Sequence, residues 1–368
     1  MSDREYMKLA IELAERGCGF TNPNPLVGAV IVKEGRIIGR GYHEKCGQLH
    51  AERNALASCT EDPKGAAIYV TLEPCCHHGR TPPCTDAIIE SKLSKVFIGS
   101  RDPNPLVSGK GVKMLRDAGI EVITDFMKKE CDALNPVFFH YITHQTPYVV
   151  MKYAMTMDGK IATAAGKSKW ITGEKARENV HRDRHRYSAI MVGTGTVFKD
   201  DPLLTCRIAG GRNPIRIICD TRLSIPVTSK VAGTTSEATT IIATACRDQA
   251  RQQPYIDRGC RILETPQTAD GRLSLPWLMK ALAADGIDSI LLEGGGTLNW
   301  SALEAGIVNK VQTYIAPKLF GGEKAKTPVA GTGVTQPSQA VMLRNQKITT
   351  IGGDILIESE VLPCSQEL

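Results

Sequence analysis

Three side chains suited to a single metal ion follow one another along this chain, namely His50, Cys75 and Cys84, with Glu52 two residues after the histidine. One imidazole and two thiolates supply three of the four tetrahedral positions around Zn²⁺, and the open fourth position separates a catalytic zinc from a closed structural one. Zinc lowers the pKa of a water bound there to about 7, giving hydroxide at neutral pH. Glu52 is spaced to move protons beside the metal rather than to bind it, since a carboxylate tied up as a ligand cannot shuttle. Eight residues separate the two cysteines. Cys76 and His77 therefore compete as ligands, and a closed structural site with one of them as fourth ligand would leave Glu52 without a task.

Strand and helix signals alternate around these positions. Tyr6, Leu9, Ala10, Leu13 and Ala14 recur at helical spacing, and residues 28–32 form an apolar run. Glu34-Gly35 marks a hairpin into residues 36–42. Helix is expected from His50 to Ser58, strand over 67–71, helix over 85–90, strand over 96–99 and helix over 111–118. His50 and Glu52 then open one helix, Cys75 follows a strand end and Cys84 opens the next helix, where the helix dipole favours a thiolate. The pattern predicts a three-layer α/β domain with a largely parallel sheet. The helical signal fades over 140–147 and a new pattern starts at Tyr148, which places a boundary near residue 145. Strands are expected over 189–193, 215–220, 240–243, 290–293 and 311–316, with a helix over 276–284. These predict a second α/β domain, dividing the chain into 1–145 and 146–368.

Composition narrows the function classes. The chain has 368 residues, and 42% hydrophobic with 23% charged residues is ordinary for a soluble globular protein. No apolar run approaches the roughly 18 residues of a membrane span, and no signal-type apolar core follows the N-terminus. The 12 cysteines are scattered rather than framed as disulfide modules, which points to a reducing cytoplasm. A net charge of +6 suits an anionic small molecule. With aromatics at 5% and no basic run interleaved with them, nucleic acid is not the expected partner.

The ordered set His50-Ala51-Glu52, Pro74-Cys75 and Cys84 resembles the zinc-dependent nucleobase deaminases, except that their pattern ends Pro-Cys-x-x-Cys. Taken with residues 21–28 and 73–84, the chain is similar to the bifunctional riboflavin-biosynthesis deaminase/reductases, in which a long interval between the two cysteines is the norm. The resemblance implies a cytidine-deaminase-like first domain with His50, Cys75 and Cys84 on zinc and Glu52 as proton shuttle. It implies Asn24, His43, His77 and Arg80 as contacts to the pyrimidine and its phosphate. Read as residues alone, Asn24 fits a Pro-Asn-Pro turn equally well, and Arg80 a solvated loop charge.

No Gly-x-Gly-x-x-Gly follows a strand in the second half. The nearest segments, 193–197 and 293–298, could present backbone N–H groups to a phosphate at a helix start, or could be tight turns. Residues 152–162, 168–172, 200–207 and 316–322 resemble the reductase half of the same family, which is similar in fold to dihydrofolate reductase. The resemblance implies NADPH binding by Ala154, Trp170, Thr196, Asp200, Thr221 and the Gly294, Gly295, Gly296, Thr297, Leu298 turn. For the pyrimidine ribotide it implies Lys152, Ser168, Arg184, Leu204, Arg207 and Glu293, and it implies a homo-oligomer. Arg184 and Arg207 suit a ribose phosphate, because guanidinium grips phosphate as a bidentate fork; read as residues alone, they fit surface charges equally well, Trp170 fits a buried core position and Asp200-Asp201-Pro202 an ordinary turn. The expected activity is zinc-hydroxide removal of the 2-amino group from 2,5-diamino-6-(ribosylamino)-4-pyrimidinone 5′-phosphate. Reduction of the ribosyl side chain to ribityl by NADPH would follow.

Overall fold

The computed structural model describes residues 1–77, 82–104 and 107–362. The chain divides into two compact units, Met1–Gln145 and Thr146–Leu368.

In the first unit the order is α1 (Asp3–Glu15), β1 (Gly28–Lys33), β2 (Arg36–Tyr42), α2 (Ala51–Ala57), β3 (Ala67–Leu72), α3 (Cys84–Glu90) and β4 (Lys95–Ser100). It continues with α4 (Lys110–Asp117), β5 (Glu121–Ile123), α5 (Lys128–Asp132) and α6 (Pro136–His144). One five-stranded sheet runs β2-β1-β3-β4-β5. Its side chains alternate between two cores, as the two-residue period of a strand requires. Ala29, Ile31, Ile68, Val70, Val96 and Ile98 pack under α2, α3 and α4. Val30, Val32, Tyr69 and Phe97 pack against α1 and α5. The domain is therefore three-layered, but the sheet is mixed rather than largely parallel. β1 is antiparallel to both β2 and β3, and only β3-β4 and β4-β5 run parallel. The Glu34-Gly35 hairpin reverses the chain, and the crossover through α2 returns β3 parallel to β2, hence antiparallel to β1. The fading of helical pattern from His140 is also corrected, since α6 runs on to His144.

In the second unit the order is β6 (Tyr148–Thr156), α7 (Glu174–Arg186), β7 (Ala189–Gly193), α8 (Thr194–Asp200), β8 (Ile215–Cys219), α9 (Lys230–Gly233) and β9 (Thr240–Thr244). Then come α10 (Gln249–Ile256), β10 (Arg261–Glu264), α11 (Leu275–Ala284), β11 (Ser289–Leu292), α12 (Gly296–Glu304), β12 (Lys310–Ala316), β13 (Leu343–Ile351) and β14 (Asp354–Val361). The nine strands run β10-β9-β8-β7-β11-β6-β12-β14-β13. All pairings are parallel up to β12, and the closing hairpin is antiparallel. One face packs under α11 and α12 through Leu278, Leu282 and Ala302. The other packs under α8, α9 and α10 through Val197, Val231 and Tyr255. Neighbouring parallel strands aim the same ends at the same side, so the loops leaving β7, β8 and β11 gather at one edge of the sheet, where open α/β sheets bind ligands.

Candidate functional site

Close backbone packing seats the first set of chemical groups. A Cβ at Gly39 would lie 2.4 Å from the Ala55 carbonyl oxygen, and one at Gly41 would lie 2.5 Å from that of Ala51. Only glycine lets α2 lie this tightly on β2. His50 is the N-cap of α2 and Glu52 lies in its first turn. Cys75 follows β3, and Cys84 is the first residue of α3.

His50 Nδ1 lies 3.5 Å from the Sγ atoms of both Cys75 and Cys84. The three ligand atoms lie within 4.8 Å of one another and form the one such group of His, Cys or carboxylate donors among the described residues. Neither Cys76 nor His77 joins it. With Zn–N near 2.05 Å and Zn–S near 2.3 Å, tetrahedral ligand atoms stand about 3.5 Å apart, so this donor set fits zinc in spacing and in chemistry. The Cys84 backbone N–H donates to Cys75 Sγ at 3.4 Å. Cys75 is held well below the usual thiol range by its contact with Cys84, against burial and aided by His50, while that same contact and burial push Cys84 up. Glu52 is 3% exposed. Burial, then the neighbouring Cys75, pushes its carboxyl up to about 7.

A cavity of about 460 Å³ opens beside this group, and Asn24, His43, His50, Glu52, Cys75 and His77 all lie in its wall. His43 Nδ1 sits 3.0 Å from the Leu49 carbonyl, and its Nε2 sits 3.2 Å from Asn24 Nδ2. The carbonyl only accepts, so Nδ1 carries the proton and Nε2 accepts from the Asn24 amide. Arg80 lies outside the described residues.

The sequence reading missed several wall residues, among them Asp102, Phe138, Tyr141 and Ile142. The last three repeat at i, i+3 and i+4, a helical signal that was there to be read. Burial pushes Asp102 up to about 6. Asn135 was missed as well. Its side chain accepts from the Leu26 N–H at 2.8 Å and donates to the Leu26 carbonyl at 2.9 Å, tying the Asn24 loop to the start of α6.

In the second unit, Lys152 on β6, Arg184 on α7 and Glu293 after β11 come together. Arg184 donates through Nε and Nη2 to the two Glu293 oxygens at 2.8 and 3.0 Å, and through Nη1 to the Thr205 carbonyl at 3.1 Å. Lys152 Nζ stands 3.9 Å from Glu293. Burial pushes Glu293 up, but Arg184 and Lys152 more than reverse it and hold the carboxyl at about 2. Burial lowers Lys152 in turn. The Arg184 fork therefore faces a carboxylate, whereas Arg207 is exposed and touches His181.

Gly193 and Gly295 are the N-caps of α8 and α12, which leave the adjacent strands β7 and β11. Thr196 Oγ1 donates to the Gly294 carbonyl at 2.7 Å and links the two turns. A Cβ at Gly195 would meet nothing within 4 Å, so the ground above the α8 turn is open. Thr297 and Leu298 continue α12, Asp200 ends α8, Thr221 follows β8 and Ala154 lies two residues beyond Lys152 on β6. Open backbone N–H groups at two neighbouring helix starts fit a pyrophosphate-bearing cofactor. Trp170, 61% exposed, lies under the Arg177 guanidinium at 4.6 Å. Ser168 shares its loop. Leu204 is buried, with a left-handed φ of 55°.

A family model described as the RibD C-terminal domain matches residues 147–357, and one described as the cytidine and deoxycytidylate deaminase zinc-binding region matches residues 1–100. The riboflavin biosynthesis protein RibD of Actinobacillus pleuropneumoniae is 55% identical over 362 residues, covering 98% of this chain and 96% of that protein. Its counterpart in Aquifex aeolicus is 43% identical over 356 residues, covering 96% and 97%. A crystal structure from Thermotoga maritima, described as a diaminohydroxyphosphoribosylaminopyrimidine deaminase/5-amino-6-(5-phosphoribosylamino)uracil reductase, superposes with a TM-score of 0.86 at 40% identity, over 97% of this chain and 98% of that one. Acinetobacter baumannii RibD superposes with a TM-score of 0.88 at 36% identity, over 98% and 99%.

Proposed function

The chain belongs to the RibD family of bifunctional deaminase/reductases of riboflavin biosynthesis, and we propose how its two units divide the work. Residues 1–145 deaminate 2,5-diamino-6-(ribosylamino)-4-pyrimidinone 5′-phosphate, and residues 146–368 reduce the ribosyl side chain of the product to ribityl. The observation that carries the reading is the meeting of His50 Nδ1, Cys75 Sγ and Cys84 Sγ beside Glu52 in the wall of one cavity.

His50, Cys75 and Cys84 are the zinc ligands. Zn²⁺ held there supplies Lewis acidity and makes a water acidic enough to serve as nucleophile at neutral pH. Glu52, buried and outside the ligand group, carries one proton of the attacking water to a ring nitrogen and the other to the departing amine, which leaves as ammonia. Asn24 and His43, locked to each other, orient the pyrimidine with His77, and Arg80 takes the phosphate.

In the reductase, NADPH supplies the hydride to C1′ of the opened sugar. Thr196 and residues 294–298, at the turns before α8 and α12, would hold its pyrophosphate. Ala154, Trp170, Asp200 and Thr221 hold the rest. Lys152 and Glu293 order the sugar hydroxyls, with Ser168 and Leu204 alongside. Arg184 acts chiefly by fixing Glu293. Arg207, which has no carboxylate partner among the described residues, binds the phosphate.

We further propose a cytoplasmic homo-oligomer. All the described cysteines are free thiols, which suits a reducing compartment, and no helix among the described residues is long and apolar enough to cross a membrane. The test is to incubate the zinc-loaded protein with the diaminopyrimidinone ribotide, with and without NADPH. Ammonia without NADPH, followed by substrate-dependent NADPH oxidation, is the expected result. Ammonia alone would break the bifunctional assignment, and neither signal with zinc bound would overturn it.

A further inference from the structure

We infer that His181 is a positioning residue of the reductase half, which holds Arg207 by its Nε edge so that the two terminal nitrogens face the substrate phosphate with their charge intact. The inference rests on the reading of Arg207 as the phosphate ligand.

Arg207 Nε lies 3.1 Å from His181 Nε2. An arginine nitrogen only donates, so Nε2 must be the acceptor and the ring proton sits on Nδ1. The imidazole is therefore neutral. Burial, then Arg184 and Arg207, lower its pKa to about 4, with Glu293 pulling the other way. The two arginines of this site are thus held in different ways. Arg184 is forked onto a buried carboxylate, which occupies its hydrogen-bonding edge. Arg207 is held by a neutral ring through its one internal N–H, which leaves the Nη1 and Nη2 edge, the edge that matches two phosphate oxygens, unused by His181.

The ring itself bears a cost. Its Nδ1 is buried and has no hydrogen-bond partner among the described residues. Few buried polar groups in folded proteins go unpaired, and each exception calls for a reason. Helix stability alone would favour an apolar side chain at this position. His181 and Arg184 stand three residues apart on α7, on neighbouring turns of one face. One helix therefore sets both the arginine whose fork is taken and the one whose fork is left to the substrate.

The experiment compares wild type, His181→Leu, His181→Gln and Arg207→Ala in NADPH oxidation. The substrates are the deaminated ribotide and its dephosphorylated nucleoside. Arg207→Ala is expected to raise KM for the ribotide by about 10- to 100-fold and to leave the nucleoside almost unaffected, as loss of a charged phosphate contact requires. His181→Leu should raise ribotide KM by about 3- to 10-fold with kcat within about twofold, leave the nucleoside unchanged, and keep or raise the melting temperature. His181→Gln, whose side-chain oxygen reaches the place of Nε2 and can accept from Arg207, should recover most of the loss. If Arg207→Ala leaves the ribotide preference intact, the phosphate reading itself fails and the inference with it. If Arg207→Ala removes that preference while His181→Leu keeps it, only the role of His181 is overturned. A fall in kcat on both substrates with a lowered melting temperature would likewise overturn it, in favour of a structural role.

Discussion

Arg184 and Glu293 meet through two parallel hydrogen bonds, 2.8 and 3.0 Å long, with both side chains only 13% exposed. Lys152 approaches the same carboxylate at 3.9 Å, so one buried anion is shared by two buried cations. Removing one partner of such a set costs far more than the set contributes to stability, because the remaining charges stay buried and unpaired. Glu293→Ala should therefore destabilise the second unit by about 3–5 kcal/mol and abolish NADPH oxidation. Ammonia release should survive wherever the first unit stays folded. Denaturant melts followed with both activity assays check this. Ammonia release lost in parallel with NADPH oxidation, with the first unit still folded, would contradict it.

Glu293 and Asp183 predict opposite responses to acid. Glu293 is held at about 2 in the folded state against an ordinary 4.5. Its stabilising contribution is full above pH 4.5 and disappears as pH falls toward 2. Asp183 is 8% exposed, and its Oδ2 has no hydrogen-bond partner among the described residues. Burial raises its pKa from 3.8 to about 6. The folded state then binds this proton more tightly than the unfolded one, so Asp183 lowers stability as pH rises from 3.8 to about 6, by on the order of 2–3 kcal/mol once fully ionised. Asp183→Asn should accordingly gain stability over wild type at pH 7 and lose that advantage near pH 4. A constant difference across that range, in urea midpoints taken at each pH, would remove the argument.

How much of this was legible in the chain depends on the distance over which each interaction acts. The hairpin between β1 and β2, the helix that His50 caps and the Cys84 helix start are set by neighbours in sequence, and spacing alone predicted them. The antiparallel seating of β3 on β1 is a choice of partner made across the fold, and no local pattern records it. Asn135 looks like an ordinary polar residue until Leu26, 109 positions away, supplies two hydrogen bonds to its side chain. β13 escaped because it is exposed along almost its whole length and lacks the alternation of a half-buried strand. The Arg184 fork was readable as a fork, but its target was not. Sequence suggested phosphate, and the fold brings up Glu293.

Glu52 should be separable from the metal. It is buried beside the ligands without belonging to their cluster. Glu52→Gln keeps the size and removes the proton carrier. Ammonia release should fall by about 10²- to 10⁴-fold, the usual range for a lost general acid–base group. Zinc content by elemental analysis, and NADPH oxidation with the deaminated ribotide, should be unchanged. Loss of zinc in this variant would mean that Glu52 holds the metal instead.

Stripping the metal should expose an asymmetry between the two cysteines. Without zinc, Cys75 is driven toward thiolate by its contacts with Cys84 and His50, while Cys84 is driven the other way and is fully buried. The thiolate is the reactive form. After chelator treatment at pH 6, iodoacetamide should label Cys75 well before Cys84, and the zinc-loaded protein should resist labelling at both. Deamination should be lost on chelation and return with zinc unless Cys75 has been alkylated. Peptide mapping by mass spectrometry reads the order, and labelling of Cys84 first would overturn the assignment of which sulfur holds the charge.

The turn before α12 gives a test of the cofactor site that leaves its side chains in place. A Cβ at Gly296 would fall 2.9 Å from the Thr327 carbonyl oxygen and 3.0 Å from the Ala330 Cβ, both rigid neighbours. The Ala330 N–H also donates to the Gly296 carbonyl at 3.0 Å, so the two segments cannot part without losing that bond. Gly296→Ala must therefore shift the first turn of α12, and with it the backbone N–H groups assigned to the NADPH pyrophosphate. The expected result is a rise of about tenfold or more in KM for NADPH, with ribotide KM and ammonia release little changed. Gly195→Ala, where a Cβ meets nothing within 4 Å of protein, serves as the companion. It should disturb NADPH binding only if the cofactor itself occupies that open ground. An unchanged KM for NADPH in both variants would place the pyrophosphate elsewhere.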